Sequence, residues 1–166
     1  MEKNSSNGNP SYFGTHGFQI AGWILAPAGS KSSPPSSLVS MAPAFERVCF
    51  NHIRQIKKAL QIGGVSTTHS EWIRQGDAEE GAQIDLIISR GDNVMNMCEL
   101  KFYSDDFSVN NAYYRTILKR QEILRNELSP KVSIQSTLVT TFGLAKGEYE
   151  SAFSNVVTLE DLFAEV

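Results

Sequence analysis

The sequence predicts a single α/β domain with a mixed central sheet flanked by helices. Three observations carry that expectation. The chain has 166 residues and is 41% apolar, enough for one domain with its own core. Segments with helical spacing alternate with β-branched, strand-like runs in the order helix, three strands, helix, strand, then a strand or helix. Two of the strands are joined by a turn short enough to make them a hairpin.

The first forty or so residues differ from the rest. "MEKNSSNGNP" and "AGSKSSPPSSLVS" are rich in Ser, Pro, Gly and Asn, which bury too little surface to offset the entropy of ordering. Residues 1–42 are therefore expected to be mostly disordered, with a short ordered patch around Phe18 to Leu25. The ordered domain, residues 43–166, is expected to begin at Pro43. In "APAFERVCFNHIRQIKKALQIGG" the residues Phe45, Cys49, Ile53, Ile56 and Leu60 recur at helical spacing, and Gly63-Gly64 ends the run. "VSTTHSEWI" is β-branched and reads as a strand, and "RQGDAEEGA" as an acidic loop. "QIDLIIS" and "VMNMCELKF" are strands around Gly91-Asp92-Asn93. "NNAYYRTILKRQEILRNEL" is a second helix with Tyr114, Leu118, Gln121, Leu124 and Leu128 on its expected apolar stripe, ended by Pro130. "SIQSTLVTTFG" is a further strand. "NVVTLEDLF" is a strand running into a short terminal helix capped at Thr158 or a neighbouring residue.

Composition excludes some functions. A formal charge of −3 argues against a protein that holds nucleic acid mainly by overall charge, so any such binding needs a local patch. Cys49 and Cys98 lie within apolar patterns without metal-type spacing, which points to buried free thiols in a reduced, cytoplasmic protein. No run reaches the roughly 18 apolar residues of a membrane span. "FQIAGWILAPAG" lacks the basic flank of a signal peptide, and "GSKSS" lacks the glycine–lysine spacing of a phosphate loop.

The hairpin holds the residues that an apolar core would not need. With Arg90 opposite Val94, Asp85 faces Glu99, and Lys101 lies two residues further on the same face. Ile84, Leu86 and Ile88 then share the opposite, apolar face with Cys98 and Leu100. Two adjacent carboxylates repel unless a proton or cation lies between them. Carboxylate oxygens suit magnesium, and a lysine beside such a site can orient water and stabilise charge on a phosphate. Spacing alone favours a plainer reading, a half-solvated hairpin with one cross-strand salt bridge. His52 and His69 read as satisfied or surface histidines, and Tyr113 and Tyr114 as packing or stacking side chains. Arg115, Lys119, Arg120 and Arg125 read as a solvated helix face that can also touch phosphates.

Ile84-Asp85 followed by Glu99-Leu100-Lys101 resembles the motif of the PD-(D/E)XK nuclease superfamily, with isoleucine where proline is frequent. Glu46 in "AFERV" stands where that superfamily often carries a helical glutamate. "AFERVCFNHIRQIKKAL", "GAQIDLIISR", "NMCELKF" and "TLVTTFGL…VVTLEDLF" are similar to the C-terminal domain of Bacteroidetes-type P-loop ATP-binding proteins. The similarity covers about residues 43 to 166 and not the N-terminal stretch. It implies a restriction-endonuclease-like core and a Mg2+- or Mn2+-dependent endonuclease that hydrolyses phosphodiester bonds in DNA. Asp85, Glu99 and the Leu100 carbonyl would hold the metal, Lys101 would handle the water nucleophile, and Glu46 would support them. The low positive charge implies weak DNA binding by the domain alone, through Arg115, Lys119, Arg120 and Arg125, with an ATPase acting in trans. The alternative is a non-catalytic interaction module of an ATP-binding protein that retains the fold.

Overall fold

The computed structural model describes residues 36–75 and 82–166. The segment 1–35 and most of the acidic loop, residues 76–81, lie outside the described residues. The described chain forms α1 (Ser36–Asn51), α2 (Ile53–Ala59), β1 (Thr67–Arg74), β2 (Ala82–Arg90), β3 (Val94–Lys101), α3 (Asn111–Glu127), β4 (Ser133–Thr140), β5 (Asn155–Thr158) and α4 (Leu159–Leu162). This is the α/β architecture expected, in the expected order. The helix begins at Ser36, so the anticipated start at Pro43 falls inside α1.

The five strands form one mixed sheet in sequence order. β1–β2 and β2–β3 are antiparallel, whereas β3–β4 and β4–β5 are parallel. The β3–β4 connection crosses over through α3, as a parallel pair requires. Asn93 closes the β2–β3 turn at φ 62°, a left-handed conformation that asparagine tolerates better than most residues. That turn sets the anticipated register, with Leu86 opposite Cys98 and Ile88 opposite Asn96.

Each sheet face carries its own apolar layer. Phe45, Cys49, Ile53 and Ile56 from α1 and α2, with Leu162 from α4, pack on Leu86, Ile88, Cys98, Leu100, Val139 and Val157. On the other face, Tyr113, Ile117 and Leu124 of α3 pack on Ile84, Ile87, Met97 and Leu138. The first helical stripe is as expected up to Ile56. The run breaks at His52, whose Nδ1 lies 2.8 Å from the Val48 carbonyl oxygen and whose ring packs 5.0 Å from Phe163. The stripe expected on α3 holds at Leu124, with Tyr114 and Leu128 partly buried against the same layer, and fails at Leu118. Leu118 is exposed, and the inward positions are Tyr113, Ile117 and Leu124, with Arg120. The short helix α4 closes the chain with the cap anticipated at Thr158, in a capping box with Asp161. Both cysteines are buried free thiols, and burial raises each thiol's pKa. Among the described residues no helix is long and apolar enough to cross a membrane.

Candidate active site

The site grows out of an irregularity in β2. Ser70 pairs with Ile87 but Trp72 pairs with Ile84, so Glu71 of β1 stands opposite two residues, Asp85 and Leu86. This β-bulge inverts the alternation beyond it. Ile84 therefore joins Ile87 in the α3 layer, correcting the expectation that it shares a face with Leu86 and Ile88. The paired register between β2 and β3 also stops at Leu86–Cys98. Asp85 is thus not held opposite Glu99 by the ladder. Its carboxylate occupies the opening between the strands, where Oδ2 accepts the Leu100 backbone N–H at 3.0 Å. A side chain has replaced a backbone acceptor there, which fixes Asp85 where β2 and β3 part.

Glu99 and Lys101 follow Met97 on the α3 side of β3. The Lys101 ammonium lies 3.3 Å from Asp85 Oδ2 and 3.4 Å from Glu99 Oε2, so one cation joins both acids. Glu99 is fully buried. Its Oε2 also accepts the Tyr113 hydroxyl at 2.7 Å, and its Oε1 is paired with the Arg120 guanidinium. Tyr113 is placed by the first turn of α3, where Asn110 caps the helix by accepting the Tyr113 N–H. Burial alone would raise the Glu99 pKa. Lys101, Arg120 and Tyr113 outweigh it and hold the carboxyl below its ordinary value. For Lys101 burial works against the charge, and Tyr113, Glu99 and Asp85 together overcome it, so the amine is held above its usual range.

Glu46 reaches the same region from α1. It is half-buried, and its pKa is raised first by that burial and next by the Asp85 charge, with Lys101 opposing and Glu71 adding. Glu46 thus feels the charges of Asp85 and Lys101, and Lys101 in turn joins Asp85 to Glu99. The loops after β3 and β4 are laced together beside them. The Tyr103 N–H donates to Thr141 Oγ1 at 2.8 Å, and the Phe107 N–H to the Gly143 carbonyl at 2.8 Å.

The cationic cluster on α3 divides. Arg120 turns inward to Glu99 and so does not offer the open phosphate contact expected of it, whereas Arg125 stays exposed with its guanidinium on the Val132 carbonyl. Arg115 and Lys119 are exposed one turn apart. His69 is exposed on β1 and His52 is engaged at the helix break. The concavity lined by Arg54, Lys57, Lys58, Gln61 and Gly63 contains none of the site residues. Tyr113 and Arg120 are the members whose support of Glu99 hydropathy did not reveal. The only signal was a tyrosine and an arginine seven positions apart, which lie on one helical face.

Among the described residues no three of His, Cys, Asp and Glu converge as a metal cluster. Two carboxylates do converge on one cation, and that donor set fits a hard divalent ion that retains water ligands. No family model matches the chain, and no curated protein matches it. Among solved structures, the chain is similar to the crystal structure of a protein of unknown function, AF1548. The identity is 17% and the TM-score 0.46, over 69% of this chain, which spans 64% of that one.

Proposed function

We propose that this is a metal-dependent phosphodiesterase site of the PD-(D/E)XK type, and that the protein is a Mg2+-dependent endonuclease acting on DNA, with Mn2+ as a substitute. The observation that carries the reading is a single ammonium held by two carboxylates from adjacent strands, at the point where those strands part. Asp85 and Glu99 would hold the ion, with the Leu100 carbonyl as a further ligand. When bound, the ion supplies Lewis acidity toward a phosphate oxygen and neutralises the acids. Lys101, released from the carboxylates, orients the attacking water and stabilises charge developing on the phosphate. Arg120 and Tyr113 keep Glu99 ionised and aimed. Glu46 approaches Asp85 from α1 and supports it. With Arg120 turned in to Glu99, the phosphate contacts proposed for α3 are the exposed Arg115, Lys119 and Arg125. DNA binding by the chain alone is then weak and salt-sensitive, consistent with delivery by an ATPase in trans.

The second reading, a non-catalytic interaction module of an ATP-binding protein, has one observation in its favour. Arg120, Tyr113 and Lys101 already satisfy Glu99 without any ion. Plasmid nicking by the full chain in Mg2+ separates the two. The nuclease reading expects cleavage that falls about a hundredfold or more in Asp85→Asn, Glu99→Gln and Lys101→Met. Nicking that is equal in all four proteins, or absent from the wild type, would leave the interaction module.

A further inference from the structure

Among the described residues, a buried polar atom beside the site lacks a partner. Thr140 is fully buried, and among the described residues its Oγ1 finds no hydrogen-bond partner. An orphaned buried hydroxyl is destabilising, so its presence calls for a reason. Its position supplies one. β3 and β4 run parallel with Lys101 directly beside Thr140 and Glu99 beside Leu138. Leu138 belongs to the α3 layer and Val139 to the opposite layer, so alternation puts Thr140 on the α3 side, next to the Lys101 stem. Among the described residues, then, the lysine that occupies the space between the acids has an unused acceptor as its lateral neighbour.

We infer that Thr140 is a positioning residue for Lys101, its hydroxyl receiving the ammonium when a divalent cation takes the place between Asp85 and Glu99. The inference rests on the metal-site reading above. In the metal-free protein Lys101 serves as the internal counter-ion of the two acids. A divalent ion must displace it, and a displaced ammonium left in a partly buried site without an acceptor is costly. The Thr140 hydroxyl lowers that cost, because Oγ1 accepts from Nζ while its own proton remains available to a water or phosphate oxygen. The orphan of the resting state is the acceptor of the loaded one.

The test is a calorimetric titration of Mn2+ into the full chain, with melting temperature as a second readout. Thr140→Val keeps the shape and removes the hydroxyl. It should raise the metal-free melting temperature, by deleting the orphan, yet weaken Mn2+ binding about tenfold, as expected for one lost hydrogen bond to a charged group. Thr140→Ser should bind Mn2+ like the wild type. In a Lys101→Met background, Thr140→Val should leave the affinity unchanged, which a purely structural role would not produce. If Thr140→Val does not fold, Thr140→Ala carries the same expectation for metal affinity. Wild-type binding with undiminished affinity in Thr140→Val overturns this inference alone, as does equal weakening in the Lys101→Met background. A wild type that binds no Mn2+ overturns the metal-site reading and this inference together.

Discussion

The two faces of β3 are built on different principles. Toward α1 and α2, Cys98 and Leu100 enter a layer of aliphatic and aromatic side chains where shape and apolar area do the stabilising. Toward α3, the same strand presents Met97, then Glu99 and Lys101, and the helix meets them with Tyr113 and Arg120. A buried ion pair is rarely the most stable way to fill such a space, because desolvation cancels much of the attraction. One face is therefore organised for stability. The other gives up stability to hold an ionised glutamate in place, as the proposed cation site would require.

Breaking the charged face should cost most. Arg120→Met leaves Glu99 buried without its guanidinium and should destabilise the protein by about 4 kcal/mol in urea unfolding. Glu99→Leu combined with Arg120→Met should recover most of that loss, since an apolar pair of similar volume is often neutral or better. A single variant as stable as the wild type would remove the contrast between the faces. On the apolar face, Ile56→Ala should cost about 3 kcal/mol through its cavity, while leaving the affinity for Mn2+ unchanged. Altered metal affinity in that variant would mean that the two layers are not independent. Tyr113→Phe removes one hydrogen bond to the buried carboxylate and should cost about 2 kcal/mol. It should also raise the acid midpoint of unfolding, because Glu99 becomes easier to protonate.

The pH dependence sharpens the comparison further. The Glu99 pKa is depressed on folding, so its contribution is complete above the ordinary glutamate value and is lost as pH falls through the depressed one. Glu46 runs the other way. Its pKa is raised by burial and by Asp85, so its contribution is complete below the ordinary value and is lost as pH rises through the raised one. Glu46→Gln should therefore stabilise the metal-free protein at neutral pH, with the gain fading as pH falls into the ordinary glutamate range. Melting temperatures of both proteins across that range check the sign.

Much of this was legible in the residues. Alternation and a three-residue turn set the β2–β3 register, and the Thr158 cap announced α4. The acids and the lysine stood out because apolar strands have no use for them. Two features were not readable, each for a physical reason. The bulge at Asp85 depends on how β1 pairs with β2, and a single strand carries no local mark of its neighbour's register. The inward turn of Arg120 depends on Glu99, a partner on another element, so hydropathy assigned the arginine to water and put Leu118 rather than Ile117 on the inward stripe of α3. Both features serve the opening between the strands, where local preference yields to a tertiary arrangement.

That opening is where the proposed ion would sit. Calorimetric titration of Mn2+ into the full chain, its Asp85→Asn variant and its Lys101→Met variant addresses it directly. One ion should bind per wild-type chain and none to Asp85→Asn, with tighter binding for Lys101→Met because the competing ammonium is gone. No heat and an unchanged melting temperature for the wild type at millimolar metal would contradict the metal-site reading, as would undiminished binding by Asp85→Asn.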